Sequence, residues 1–197
     1  TFTEGATAIF DDSSVEGSDT IKISGIINVA DVQVNATKTY VLRRVGTTDT
    51  LKGTGTFIKD GSGLFVMDLP NLMNGGTLVK NGKLMMEKQT TPNIFGPKLV
   101  LEGGIVNFAT TTSSNYPSIT VPIEIPAGKT GVIECSRYSY FSSPISGSGD
   151  LTIYAGGERT YLGQKNVQPD WSKFTGNVRV EEYVMSGVNP GFRGLVL

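Results

Sequence analysis

Arginine and aromatic side chains crowd one stretch of this chain, Arg137-Tyr138-Ser139-Tyr140-Phe141, and Arg159, Tyr161 and Trp171 follow at short range. Flat rings beside guanidinium forks suit stacking on sugar rings and gripping acidic saccharides. Arg137, Tyr138, Tyr140, Arg159 and Trp171 are therefore the candidate ligand-binding residues, with a saccharide as the ligand. The same residues also fit ordinary packing, because alternate positions of a strand share one face and would bury Tyr138 and Tyr140 together. Packing is the default. Carbohydrate binding leads only if those tyrosines point outward.

Other chemistry finds less material. Histidine is absent and Cys135 is the sole cysteine. A thiol nucleophile has no imidazole partner, and histidine triads and histidine- or cysteine-bound zinc are excluded. Cys135 lies in the apolar run Val132-Ile133-Glu134-Cys135 and reads as a small buried hydrophobe. Candidate acids are Asp11, Asp12, Asp49, Asp60, Asp150, Asp170, Glu181 and Glu182. Asp11-Asp12 precedes Ser13-Ser14 and Asp60 sits in Lys59-Asp60-Gly61, both turn-like contexts. No catalytic residue, metal or cofactor is assigned, and the chain is read as a non-enzyme. Paired carboxylates on adjacent strands of a polysaccharide lyase or hydrolase would escape a reading of spacing alone. The Asn35-Ala36-Thr37 sequon has meaning only in a eukaryotic secretory pathway.

The elements that hold these residues are strands. Apolar residues recur with period two between Gly, Asn, Asp and Pro, as in Ile21 and Ile23, Val32 and Val34, Tyr40 and Leu42. Further short runs are Leu64 to Met67, Leu84 to Met86, Leu99 to Leu101, Ile105 to Phe108, Ile119 to Val121, Leu151 to Ile153 and Val178 to Val180. No stretch reads as a helix. A hydrophobic content of 38% suits a thin β structure. A net charge of -1 gives no basic footprint for nucleic acid, and no apolar run reaches the length of a membrane span.

A phrase recurs. Leu51-Lys52-Gly53-Thr54-Gly55-Thr56-Phe57-Ile58 and Ile145-Ser146-Gly147-Ser148-Gly149-Asp150-Leu151 both set Gly-x-Gly between apolar positions. Each follows a similar strand, Lys38 to Leu42 or Lys129 to Ile133, and precedes a glycine-led one, Gly76 to Val79 or Gly176 to Val180. The two copies are read as equivalent in phase, hence as stacked units of one solenoid. The expected fold is all-β, a right-handed parallel β-helix of about eight turns at roughly 20 to 25 residues each. An antiparallel β-sandwich is the fallback.

The segment Leu51 to Met86 resembles the autotransporter-associated β-strand repeat. Gly53, Gly55, Lys59, Gly61, Gly63, Leu64, Asn71, Gly75, Gly76, Thr77, Gly82 and Leu84 fall on its pattern, and Met73 stands where an aromatic is usual. Gly147 to Val180 is similar to a degenerate second copy. The resemblance implies an exported bacterial protein, extracellular or on the cell surface, in which the repeat is a stalk or adhesin-like scaffold. Its partners would be glycans or host and cell-surface proteins, met by loops such as Ala109 to Pro117. The start at Thr1 without methionine reads as a piece of a longer protein. Residues 1–197 form a single β-helical domain on this reading, with 1–50 a continuation of the coil, a lead-in or a cap.

Overall fold

The computed structural model describes residues 3–13, 19–87, 95–109, 118–135, 139–156, 160–163, 169–183 and 195–196. Every regular element among them is a strand, and every strand pairing is parallel. Two sheets of eight strands run the length of the stack. The first comprises Ala8–Asp11, Val32–Asn35, Phe57–Lys59, Thr77–Val79, Leu99–Leu101, Ile123–Ile125, Ile145–Gly147 and Lys173–Phe174. The second comprises Thr20–Ile23, Tyr40–Arg44, Leu64–Asp68, Lys83–Glu87, Ile105–Ala109, Thr130–Cys135, Asp150–Gly156 and Val178–Tyr183. A third wall has Ile26–Val29, Thr50–Gly53 and Asn71–Met73, and a fourth has Ser118–Ile119, Ser139–Phe141, Thr160–Leu162 and Leu195–Val196.

The chain visits the first sheet, then the second, and returns one rung further along, with a strand of a third or fourth wall between in every described coil but the one from Lys83–Glu87 to Leu99–Leu101. In the first sheet, register partners lie from 20 residues apart, Phe57 with Thr77, to 27, Ser146 with Lys173. This is a parallel β-helix, and no antiparallel layer exists among the described strands. Parallel strands joined across a whole coil leave no room for the two-residue hairpins that a sandwich of such short strands would need. Strands from Ala8 to Gly53 stack in the same sheets as those that follow.

Period-two alternation becomes vertical columns inside this coil, because register sets each inward side chain over its counterpart one rung away. In the second sheet one column runs Ile21, Leu42, Met67, Met86, Phe108, Cys135, Ala155. Its neighbour runs Tyr40, Phe65, Leu84, Val106, Ile133, Ile153, Val180. Cys135 is fully buried, as its apolar run predicts. Phe65 meets Phe57 of its own rung at a centroid distance of 5.5 Å and Phe10 two rungs earlier at 5.2 Å, both edge to face, with Tyr40 of the rung between at 6.5 Å, and so ties the opening rungs together.

The two Gly-x-Gly copies prove to be one corner out of phase. Gly53 ends a strand of the third wall and Gly55 leads into the first sheet, whereas Gly147 ends a first-sheet strand and Gly149 leads into the second. Followed through the register, the corner of Gly147 and Gly149 corresponds to the one between Phe57–Lys59 and Leu64–Asp68, where Gly147 falls on Lys59 and Gly149 on Gly61. Gly76 to Val79 and Gly176 to Val180 likewise belong to different sheets. The reason is steric. A Cβ on Gly55 would lie 2.4 Å from the Ala30 carbonyl oxygen, and one on Gly149 2.4 Å from that of Lys129. Both corners press backbone on backbone, so both select the same local phrase.

Truncating Phe65 removes a fully buried ring and its contacts to Phe10 and Tyr40 on two other rungs and to Phe57 on its own. Phe65→Ala is expected to lower stability by about 3–5 kcal/mol, measured as a shift of the urea unfolding midpoint.

Candidate functional site

Outward positions of the second sheet form the most chemically loaded surface described. One outward column runs Val41, Val66, Met85, Asn107, Glu134, Tyr154, Glu181, apolar at the start and polar later. A buried carboxylate needs compensation, and Glu134, 6% exposed, receives it from two other rungs. Asn107 Nδ2 donates to Glu134 Oε2 at 2.6 Å, and Lys83 Nζ reaches the same oxygen at 2.8 Å. Further along, Glu181 pairs with Arg179 and holds the Tyr154 hydroxyl above its ordinary value through a hydrogen bond and its negative charge. On the neighbouring column Arg43 Nη1 lies 2.8 Å from Glu87 Oε2 and 3.9 Å from Asp68 Oδ2. The result is a ladder in which three cations, Arg43, Lys83 and Arg179, lie against four carboxylates, Asp68, Glu87, Glu134 and Glu181.

The remaining acids serve corners. Asp12 accepts from the backbone and hydroxyl of Thr37, each at 2.9 Å, so the sequon threonine has a structural partner one rung away. Asp49 accepts from the amides of Gly46, Gly25 and Val45. Asp11 accepts from Ser13, Asp170 from Ser172, and Asp150 from Asn177 Nδ2 at 2.8 Å. Donated hydrogen bonds hold the carboxyls of Asp11, Asp12, Asp49 and Asp170 below the ordinary carboxylate range. The turn reading of Asp11-Asp12 therefore agrees with the geometry. Asp60 lies 3.9 Å from Lys80 on the next rung. No group of three or more carboxylate, thiol or imidazole side chains could hold a metal ion among the described residues.

The aromatic candidates separate. Arg137, Tyr138 and Arg159 lie outside the described residues, as do 110–117 of the expected contact loop. Phe141 points inward at 1% exposure, so its neighbour Tyr140 faces outward, half-buried, with Tyr161 as register partner on the next strand. Trp171 turns the other way. Its ring packs against the core, and its indole N–H donates to the Ser143 carbonyl at 3.3 Å.

Three further buried polar residues, Lys59, Asn71 and Thr77, were not nominated from the sequence as buried. Lys59, taken for a turn residue, is fully buried in the column Val34, Lys59, Val79, Leu101. Its ammonium donates to the corner carbonyls of Gly61 and Asn81, the latter at 3.2 Å. Alternation after inward Phe57 was the available signal. Asn71 Nδ2 donates to Thr77 Oγ1 at 3.0 Å, and that hydroxyl donates to the Phe95 carbonyl at 3.0 Å, which closes the corner around Gly75-Gly76 from inside.

Burial pushes the Lys59 ammonium down from its ordinary 10.5 to about 8. The unfolded chain holds this proton to higher pH than the folded chain does, so the residue's contribution makes stability rise with pH from about 8 to 10.5. Urea titrations across that window are expected to show the rise, and Lys59→Met is expected to abolish it. Glu134→Ala should cost about 1–3 kcal/mol by removing the acceptor that the Asn107 amide and the Lys83 ammonium share, and Glu134→Gln less. Towards acid, the low carboxyls of Asp11, Asp12, Asp49 and Asp170 contribute stability that is present at neutral pH and lost as pH falls through their folded values. Compared with protein families, with curated proteins and with solved structures, the chain gives no match.

Proposed function

We propose that this chain is a non-catalytic structural and interaction scaffold, a stalk or adhesin-like segment of an exported bacterial surface protein. The observation that supports it is the pair of unbroken eight-stranded parallel sheets. A continuous stack of this kind carries load along its axis and offers long faces for contact without any single cleft. The polar ladder on the second sheet fits the same reading, since its carboxylates bond to neighbouring rungs instead of converging on a vacant point. The surface location rests on the resemblance of Leu51 to Met86 to the autotransporter-associated repeat. In the structure those motif residues are the corner glycines, Lys59, Asn71 and Thr77, all with architectural tasks.

A second reading has one observation in its favour. Tyr140 faces outward, and the position in register with it on the next strand is also a tyrosine, Tyr161, so a strip of aromatic positions follows the stack there. A glycan array probed with the labelled chain separates the two. The scaffold reading expects no glycan class to be enriched, and no lyase or hydrolase turnover of acidic polysaccharides. Enrichment that Tyr140→Ala removes while the far-ultraviolet circular dichroism stays unchanged would replace it with the carbohydrate-binding reading. Trp171→Ala should lower stability with no effect on glycan signal, because its ring serves the core.

A further inference from the structure

Asparagine is a thermolabile residue because its side-chain amide can be attacked by the following peptide nitrogen, and glycine at that next position obstructs the attack least. The chain has two such pairs, Asn74-Gly75 and Asn81-Gly82, both at corners of the coil and both with the asparagine exposed. The structure treats them differently. The Gly75 amide donates to the Gly55 carbonyl of the previous rung at 2.8 Å and is held in the stack. The Gly82 amide donates instead to the side chain of its own neighbour, Asn81 Oδ1, at 2.8 Å. That bond folds the asparagine side chain back over the following peptide and brings its amide carbon beside the Gly82 nitrogen.

The peptide joining these two residues has a second contact. Its carbonyl oxygen, that of Asn81, accepts from the buried Lys59 ammonium at 3.2 Å. The fit is close, since a Cβ on Gly82 would lie 2.6 Å from Lys59 Nζ. When a peptide N–H loses its proton, the negative charge is shared between the nitrogen and the carbonyl oxygen. A cation fixed at that oxygen therefore stabilises the ionised, nucleophilic peptide. We propose that Asn81 is a self-modifying site, at which the Gly82 nitrogen attacks the Asn81 side-chain carbonyl while the Lys59 ammonium stabilises the ionised peptide. The bond from nitrogen to Cγ forms, the bond from Cγ to Nδ2 breaks, and ammonia leaves with a proton equivalent to the one Gly82 lost. Water then opens the resulting succinimide, adding hydroxyl to one carbonyl carbon and a proton to the nitrogen. Opening at Cγ gives aspartate. Opening at the main-chain carbonyl gives isoaspartate, whose backbone is longer by a methylene group. Either way the corner is neutral when the chain is made and anionic once it has aged.

The test follows both asparagines in one sample of the intact 197-residue chain at neutral pH, by peptide mapping and mass spectrometry with isoaspartate scored separately. Asn81 is expected to convert about tenfold faster than Asn74, the worth of one hydrogen bond to a charged group. Lys59→Met should remove that advantage and leave the Asn74 rate unchanged, the sign that the coil is intact. The wild type supplies a measurement that needs no substitution. The ratio of the two rates should fall as pH rises through about 8, where Lys59 gives up its proton. Conversion at Asn81 no faster than at Asn74 overturns the proposal. So does a ratio that stays constant through that pH range, and so does a Lys59→Met chain that keeps the wild-type ratio.

Discussion

Parallel hydrogen bonding between successive rungs, about 4.8 Å apart, is the constraint on which everything else in this molecule depends. It admits no slippage, because a shift of one residue would turn every inward side chain of a rung outward. It also forces each residue to lie on its counterpart one coil away. Identity of environment follows: a column that begins apolar must remain apolar or supply its own polar partners. The columns through Leu42 and Phe65 take the first course. The column through Lys59 and the outward column through Glu134 take the second, with carbonyls, an amide and an ammonium drawn from the same rung or from one or two rungs away.

Much of this was legible in the residues. Alternation located the strands, since period two is all that a strand needs to bury one face, and the frequency of glycine marked the corners. The phase of the corners was not legible. Gly53-Thr54-Gly55 and Gly147-Ser148-Gly149 look alike because the steric demand is local and similar at each bend, whereas the sheet a bend leads to is a property of the whole coil. Lys59 was hidden for a related reason. Beside Asp60-Gly61 it has the composition of a turn, and only its register with Val34 and Val79 shows it to be inside.

The polar surface was less legible still. Lys83, Asn107 and Glu134 are far apart along the chain and meet because two coils separate the first from the last. A single sequence carries no trace of such a meeting beyond a carboxylate within an apolar run. The aromatic candidates divided along the same line: alternation sends Phe141 inward and Tyr140 outward, while Trp171 lies at a corner, where alternation has no authority. Of the residues nominated for chemistry, those on strands could be oriented from pattern, and those in corners and connections could not.

The aromatic cluster of Phe10, Tyr40, Phe57 and Phe65 has a consequence for how the stack comes apart. It rivets the opening rungs to one another, while no comparable knot of rings joins the closing ones among the described residues. Nearest-neighbour architectures lose structure from whichever extremity is held least. This one should therefore fray from the Val178–Tyr183 extremity and unzip towards the phenylalanines, which gives the molecule a direction in time as well as in space.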